Sequence, residues 1–290
     1  GADSYVAMVA RAKALIPELR DRASKTEELR RLPPETERDL HDAGLFRIVQ
    51  PKRVGGAELD YVALVDCADA LGQADASVAW NFANLASHHW MLGMFDRQAQ
   101  DTVWSRNADA LIASSFIFPA GRARKADGGY VLRGHWPFSS GVESCDWNML
   151  AGVVSSDDEA DGIEYRIFLL NRSEYRINDT WNATGLCGTG SNDVWVEDAF
   201  VAEKMTIAVS ELTGVTAWNN SHVWASGRDG NVNEGFVERW NGSHWRLMTV
   251  PTPGTASALE GISALSATNV WAVGSYSPTD ASRPERTMVL

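Results

Sequence analysis

Hydrophobic residues recur at helical spacing over residues 3–106. In residues 8–32, MVARAKALIPELRDRASKTEELRRL, apolar side chains fall three and four positions apart with charged residues between them, which predicts an amphipathic helix. The segment LPPETERDLHDAGLF places prolines at the start of a helix and Gly44 at its end. The other predicted helices are residues 61–75, the almost wholly apolar residues 77–95, and residues 96–106. The pattern predicts an N-terminal helical domain over residues 1–109.

The hydrophobic period changes after residue 110. Short runs rich in Val, Ile, Phe, Tyr and Trp alternate with Gly, Asp and Asn turns, and one tight turn is predicted at Asp127-Gly128-Gly129. This pattern is typical of a small antiparallel barrel or sandwich. We therefore expect a middle β domain over residues 110–210.

A self-similar unit follows in residues 211–290. GVTAWNNSHVWASG begins at Gly214 and GISALSATNVWAVG begins at Gly261, an offset of 261 − 214 = 47 residues. A β unit repeating at roughly 40–50 residues predicts propeller blades, and about three repeats are needed to bury their faces. The fold class predicted is α+β and multidomain: helices, then a barrel or sandwich, then truncated propeller-like repeats.

Composition narrows the function classes. The 290 residues carry a net charge of −12 and a pI of about 4.9, which disfavours nucleic acid and anionic membranes as partners. No apolar run is long enough to span a membrane, and the first residues lack the features of a secretory signal. Cys67, Cys145 and Cys187 are scattered without metal-ligand spacing, which favours reduced thiols in a cytoplasm and predicts no metal site.

Two serine pairs mark candidate chemistry at strand ends. They lie 25 residues apart, and the second follows two aromatic residues in WPFSSG. Hydroxyls beside rings suit a wall for a flat ligand with polar edges, but serines at strand ends also satisfy local backbone groups and the rings also suit a barrel core. The residues are Ser114, Ser115, Trp136, Phe138, Ser139 and Ser140.

The apolar helix carries a second candidate set. Trp80, Asn84 and His88 are spaced four residues apart and share one helix face, which fits either a pocket wall for a planar aromatic ligand or helix packing. His88 and His89 point about 100° apart, so they do not form a metal pair.

Four segments resemble the acyl-CoA dehydrogenase superfamily over the first 210 residues. Within it, the chain looks most like the flavin-dependent monooxygenases that hydroxylate phenols, such as the p-hydroxyphenylacetate and steroid-phenol hydroxylases. The segments, in order, are LHDAGLFRIVQPKRVGG, DASVAWNFANLASHHWMLGMFDRQAQDTVW, GGYVLRGHWPFSSGVESCDW and GLCGTGSNDVWVEDAFV.

The resemblance implies the oxygenase component of a two-component enzyme. Such a protein takes reduced FMN (or FAD) from a separate flavin reductase, forms a flavin C4a-hydroperoxide with O2 and hydroxylates a small aromatic substrate. The family's C-terminal helical bundle, which holds its homo-oligomer together, is not apparent here, and we expect its loss to cripple the activity.

The resemblance also implies roles for the candidate residues. His88 and Ser140 are the expected catalytic residues, and Trp80, Asn84 and His88 the expected substrate-binding residues. The expected flavin-binding residues are Ser114, Ser115, Trp136, Phe138, Ser139 and Ser140.

Two alternative functions remain open. One is an FAD-dependent acyl-CoA dehydrogenase, although SSFIFPAG stands where dehydrogenases usually have a Thr-Glu-Pro stretch. The other is a non-enzymatic binding or surface module based on the propeller-like repeats, which the expected absence of an export signal makes the weakest of the three.

Overall fold

The computed structural model of the chain describes residues 3–155, 164–230, 234–280 and 282–290. It divides into two compact units, the first made of residues 1–156 and 166–207 and the second of residues 157–165 and 208–290. Parts of the predicted domains, at residues 1–2, 156–163, 231–233 and 281, lie outside the described residues. Each unit is described by itself.

In residues 3–111 of the described structure, six α-helices precede the first strand. The sequence pattern over residues 8–32 is interrupted at Leu15, because Pro17 lacks a backbone N–H and so starts a second helix instead of continuing the first. Within the described ranges, no helix is long and apolar enough to cross a membrane. The helices are α1 Tyr5–Ala14, α2 Ile16–Leu29, α3 Pro34–Asp42, α4 Tyr61–Gly72, α5 Ala76–Leu92 and α6 Arg97–Trp104.

Helix α5 is fixed at its start by Asp75. The Asp75 carboxylate accepts hydrogen bonds from the backbone N–H groups of Ser77 and Val78, which satisfies two donors that an α-helix leaves open at its first turn. The inner face of α5 is buried and includes Phe82 and Leu85. Because this face is anchored, the opposite side of the helix holds a defined position.

One eight-stranded sheet follows the helices. Its path is β6-β7-β3-β2-β4-β5-β8, with β1 paired to β4, and Asp127-Gly128 makes the predicted turn between β2 and β3. The strands are β1 Ile112–Ser115, β2 Gly121–Ala126, β3 Gly129–Ser139, β4 Trp147–Ser155, β5 Glu164–Asn171, β6 Arg176–Asn178, β7 Asn192–Ala202 and β8 Thr206–Ala208.

The sheet is mixed, so the prediction of a purely antiparallel domain is wrong. Strands β1 and β2 both pair with β4 in parallel, β1 at residues 147–150 and β2 at residues 153–155. After the β2–β3 hairpin the chain crosses over, so that β4 pairs with the edge of β2 opposite to β3. Alternation of apolar residues predicts strands but carries no information about such a crossover.

Trp136 is at the centre of the sheet's buried face. Its ring is fully buried and its indole N–H donates to the carbonyl of Ala151 at 2.6 Å. A Cβ atom at Gly121 or Gly134 would lie within 2.5 or 2.7 Å of this ring. The two glycines therefore provide the space that the indole occupies, and helices and sheet share one core.

The described residues of the second unit form two antiparallel sheets. The first has the order β12-β11-β10-β9 and the second β13-β14-β15. A small core joins Trp224, Val237, Leu259, Ala272 and Met288. The strands are β9 Glu211–Asn219, β10 His222–Asp229, β11 Glu234–Trp240, β12 Trp245–Met248, β13 Ala256–Ser266, β14 Asn269–Ser277 and β15 Arg286–Val289.

The strand register of the two hairpins follows the 47-residue offset of the sequence. Trp224 pairs with Thr216, and 47 residues later Trp271 pairs with Ser263. The register of the β9–β10 hairpin shifts between Ser226 and Gly227. The register of the β13–β14 hairpin shifts 47 residues later, opposite Val273 and Gly274. The two sheets do not by themselves make a ring of blades, so a propeller stays a prediction.

Candidate functional site

A cavity of about 500 Å³ opens in the first unit. Its walls come from α5, the end of β1, the end of β3 and the connection between β6 and β7. No Asp, Glu, Lys or Arg lines it within the described ranges. The lining residues are Trp80, Asn84, His88, Ser114, Ser115, Phe116, Ile117, Phe138, Ser140, Trp181, Leu186, Thr189 and Ser191.

The three residues predicted to share a face of α5 all line this cavity. Trp80 is half exposed, Asn84 is partly buried and donates to the Trp80 carbonyl, and His88 is buried. Of the two interpretations left open by their spacing, the structure favours the pocket wall.

Four of the six residues predicted on the strands also line the cavity. Ser114 and Ser115 close β1, and the Ser115 hydroxyl donates to the Pro137 carbonyl at 2.7 Å. Phe138 and Ser140 lie at the end of β3. Two distant parts of the sequence therefore meet at one wall.

The predictions for Trp136 and Ser139 are wrong. Both side chains are fully buried behind the wall, and the Ser139 hydroxyl accepts a hydrogen bond from Asn148 at 3.0 Å. The register of β3 against β7 shifts between Trp136 and Ser139. This bulge resets the alternation of side chains, so Ser139 faces inward while Phe138 and Ser140 reach the cavity.

Phe138 adopts a backbone conformation that bulky residues rarely take. Its φ is 63°, in the left-handed region that side chains with a Cβ disfavour. The ring is 60% exposed and meets Trp181 edge to face at 6.1 Å. An exposed ring held at a strained position is a feature of ligand-binding sites.

A chain of hydroxyl groups connects Trp80 to the β6–β7 connection. The indole N–H of Trp80 donates to Ser140 Oγ at 3.0 Å, Ser140 Oγ lies 2.8 Å from Ser191 Oγ, and Ser191 Oγ lies 2.7 Å from Thr189 Oγ1. The Thr189 hydroxyl donates to the Leu186 carbonyl at 2.9 Å. We call these three hydroxyl residues, Ser140, Ser191 and Thr189, the hydroxyl relay.

The direction of the relay follows from counting hydrogens, since each hydroxyl has one to donate. Thr189 uses its hydrogen on the Leu186 carbonyl, so Ser191 must donate to Thr189, and Ser140 must donate to Ser191. Ser140 also accepts from Trp80. One lone pair remains on Ser140 Oγ, so this residue offers the cavity an acceptor and no donor.

His88 offers a second acceptor. Its Nδ1 lies 2.6 Å from the carbonyl of Ile112, and because a carbonyl only accepts, Nδ1 carries the hydrogen. Burial lowers the pKa of His88 from 6.5 to about 4, against the opposing effect of the Ile112 hydrogen bond. The neutral ring therefore leaves Nε2 as a hydrogen-bond acceptor at neutral pH.

His89 lies apart from the cavity. Trp104 donates its indole N–H to His89 Nδ1 at 3.1 Å and the rings stack. Burial, with smaller contributions from neighbouring charges, lowers the pKa of His89 to about 3. Its role in the structure is packing.

The sequence pattern missed the connection between β6 and β7 as part of the site. Leu186, Thr189 and Ser191 line the cavity, and Glu27 of α2 holds the turn from which they project. The Glu27 carboxylate accepts from the backbone N–H groups of Cys187 and Gly188 at 3.1 and 3.2 Å and from the Ser77 hydroxyl at 2.9 Å. The GTGS sequence was the available signal, since glycines often mark a backbone packed closely against another element.

The pKa of Glu27 is consistent with these hydrogen bonds. Burial raises the pKa of Glu27, but the hydrogen bonds from Gly188, Ser77 and Cys187 outweigh it and hold the pKa below the ordinary 4.5. The Asn81 amide adds a bond to the Gly188 carbonyl at 3.0 Å. Helices α2 and α5 therefore position the end of the hydroxyl relay.

The chain is similar to known proteins in sequence. Residues 7–104 match the family model "Acyl-CoA dehydrogenase, N-terminal domain". The chain is 35% identical over 246 residues to the flavin-dependent monooxygenase oxygenase subunit HsaA of Rhodococcus jostii, an alignment covering 85% of this chain and 62% of that protein. It is 37% identical over 210 residues to the FADH(2)-dependent resorcinol hydroxylase oxygenase component of a Rhizobium species, covering 72% and 51%.

The fold is also shared with a solved structure. The crystal structure of the HsaA monooxygenase from M. tuberculosis superposes with a TM-score of 0.68 and 37% identity, over 71% of this chain and 53% of that one. The chain therefore spans about half to three fifths of the length of these proteins.

Proposed function

We propose that the chain provides the active site of a reduced-flavin-dependent monooxygenase. The starting point is the match of residues 7–104 to the acyl-CoA dehydrogenase N-terminal domain. The chain acts as the oxygenase component and hydroxylates a phenolic ring. One observation carries the proposal: an uncharged cavity of about 500 Å³ gathers the predicted residues of α5, β1 and β3 around two hydrogen-bond acceptors.

The residues present fit reduced FMN, and equally reduced FAD. A reduced flavin ring carries an N–H at N5, and the remaining lone pair of Ser140 suits such a donor. Phe138 and Trp181 provide aromatic surface at the same wall. The reduced flavin supplies the chemistry of oxygen activation, while the protein binds it and excludes water.

The aromatic substrate fits the side of the cavity lined by α5. A phenolic hydroxyl can donate to Nε2 of neutral His88, which would orient the ring and take its proton as the reaction proceeds. Phe116 meets His88 edge to face at 6.1 Å and adds apolar surface beside it. Trp80 acts through Ser140, whose hydroxyl it helps to orient.

The proposal implies partners that the relatives' names also indicate. An "oxygenase subunit" or "oxygenase component" works with a second protein that reduces flavin. We therefore expect a separate flavin reductase and O2 as co-substrate. The reaction consumes one O2, one reduced flavin and one phenol, and yields a hydroxylated phenol, water and oxidised flavin.

The test is binding followed by product analysis on the purified chain. Reduced FMN and reduced FAD are titrated anaerobically, and the loaded protein is mixed with isotopically labelled dioxygen and either resorcinol or p-hydroxyphenylacetate. The expected result is saturable binding and one labelled oxygen in a hydroxylated product. Flavin that stays unbound, or a product without label, would overturn the proposal for this chain, and oxidation of an acyl-CoA with FAD would replace it by the dehydrogenase alternative.

Variants connect that result to the site. Ser140→Ala removes the acceptor, and we expect reduced-flavin affinity to fall about three- to tenfold, the effect of losing one hydrogen bond. Ser24→Ala, at an exposed position of α2, is the matched control and should bind flavin normally.

A further inference from the structure

The second unit contains an apolar cleft of about 380 Å³, a volume in the range of small-molecule sites. It lies where the facing sides of its two sheets meet. The four-stranded sheet contributes Trp224, Val237 and Met248, and the three-stranded sheet contributes Ile262, Val270 and Ala272.

Arg239 lines this cleft, and Arg246 lies beside it on the neighbouring strand. In the strand register Arg239 lies opposite Trp224 on one neighbouring strand and opposite Arg246 on the other. Residues directly opposite in an antiparallel ladder share a face and lie within contact distance. Both arginines therefore lie on the sheet face that carries Trp224, and the Arg239 guanidinium sits over the Trp224 ring at 5.7 Å.

The two guanidinium groups place like charges next to each other. Arg239 Nε is buried without a hydrogen-bond partner. Over the residues that the structure describes, neither Arg239 nor Arg246 forms an ion pair, although acidic residues outnumber basic ones in the chain. Like charges opposed across strands repel, and a buried cationic donor without an acceptor is costly. An anion bound here would relieve both costs.

We propose that this cleft binds an amphiphilic monocarboxylate. The carboxylate accepts hydrogen bonds from Arg239 and Arg246, a pairing that guanidinium groups make well, and the apolar tail lies against Trp224, Val237, Met248 and the facing sheet. The cleft lies entirely within the second unit, so this site is independent of the flavin proposal.

The experiment is calorimetric titration of the full chain with octanoate and with octanol, which share a tail and differ in charge. We expect octanoate to bind saturably, and octanol at least about tenfold more weakly. Arg239→Met and Arg246→Met keep the apolar length and remove the charge, so each should weaken octanoate about tenfold or more while octanol binding stays unchanged.

A control and a second variant keep the result interpretable. Arg283→Met removes an exposed arginine of the same unit that pairs with Asp280, and octanoate binding should be unaffected. Arg246 is exposed, so its replacement tests the charge without disturbing the core. Equal affinity for octanoate and octanol, octanoate binding that survives both substitutions, or no octanoate binding at all would each overturn the proposal.

Discussion

The two units differ in what they bury. The first encloses Trp136, two histidines and a set of hydrogen-bonded hydroxyls and amides, and its core runs through both helices and sheet. The second has a core of five buried hydrophobic side chains over its described residues and leaves rings such as Trp218 and Trp271 about half exposed. Tryptophan is abundant in both, but the first unit buries Trp104, Trp136 and Trp147, whereas the second buries Trp224 alone among its described tryptophans.

The difference shows that the number of tryptophans in a unit does not determine how many of them are buried. A buried ring stabilises through the area it removes from water, whereas an exposed one contributes little. A polar network around a cavity also requires a rigid surround, because each group is positioned by the next. The first unit provides such a surround for the hydrogen-bonded groups at its cavity.

The largest expected effect separates the two kinds of tryptophan. Trp136→Ala leaves a cavity and an unpaired Ala151 carbonyl, so we expect the first unit to lose about 3–5 kcal/mol of unfolding free energy. Trp271→Ala, at a 52% exposed position, should cost the second unit about 0.5 kcal/mol or less. Urea denaturation followed by pulsed hydrogen exchange measures each unit by its own peptides, and similar costs for the two substitutions would contradict the comparison.

Acid should destabilise the first unit through its buried histidines. The folded pKa values of His88 and His89, about 4 and about 3, lie below the ordinary 6.5, so the unfolded chain binds more protons between these values. The stability present above pH 6.5 is therefore lost as pH falls towards 4. From pH 7 to pH 5 we expect about 2 kcal/mol per histidine.

The same exchange experiment at the two pH values tests this. His88→Gln should remove about half of the loss. The second unit has no buried histidine over its described part, since His222 is partly exposed and His244 exposed, so its peptides serve as the internal reference. A pH effect of equal size in both units would show that the histidines are not its source.

A smaller effect is expected at the turn that carries the relay. A Cβ at Gly188 would lie 2.3 Å from Thr26 Cγ2, whereas one at Gly185 would have nothing within 4 Å. Gly188→Ala should therefore cost about 1–3 kcal/mol and weaken reduced-flavin binding, because Thr189 and Ser191 move with the turn. Gly185→Ala is the matched control; flavin titration of both variants checks the result, and equal affinities would argue against a tightly packed turn.

The smallest effect is expected at Glu27. Glu27→Gln should cost about 1–2 kcal/mol, measured as local opening of residues 186–191 in hydrogen exchange, with exposed Glu28→Gln as the control. Because the pKa of Glu27 is held below 4.5, its contribution is present above pH 4.5 and is lost as pH falls through the lowered value. Protection of the turn that is insensitive both to the substitution and to acid would assign the positioning to Asn81 instead.

Much of the fold could be predicted because its signals are local. The spacing of Trp80, Asn84 and His88 places them on one face of a helix, whatever that helix packs against. The turn at Asp127-Gly128 depends only on the residues that form it. The 47-residue repeat was also visible in the amino-acid sequence. The order of strands in the first sheet was not, since the crossover to β4 leaves no periodic trace.

The errors at the site have two physical causes. Trp136 and Ser139 were expected at the wall from the resemblance of WPFSSG to a flavin wall, which does not reveal the bulge next to Phe138 or that Ser139 faces inward. The Glu27 contact was missed because its partners lie 160 and 161 residues away, beyond any local pattern. Tertiary contacts of this kind decide which hydroxyl points where.

The matched register of the two hairpins has a consequence for how such a chain can change over evolutionary time. Ser226 pairs with Val237, and its counterpart Val273 pairs with Val289. Equivalent residues of the two hairpins are 273 − 226 = 47 positions apart in the sequence, whereas equivalent residues of the strands that follow them, β11 and β15, are 289 − 237 = 52 positions apart. The five additional residues lie in the connection, outside the paired strands. This architecture can therefore grow by duplication of a whole unit or by insertions in the connections between strands. One residue inserted within a hairpin strand would instead turn every following side chain to the opposite face.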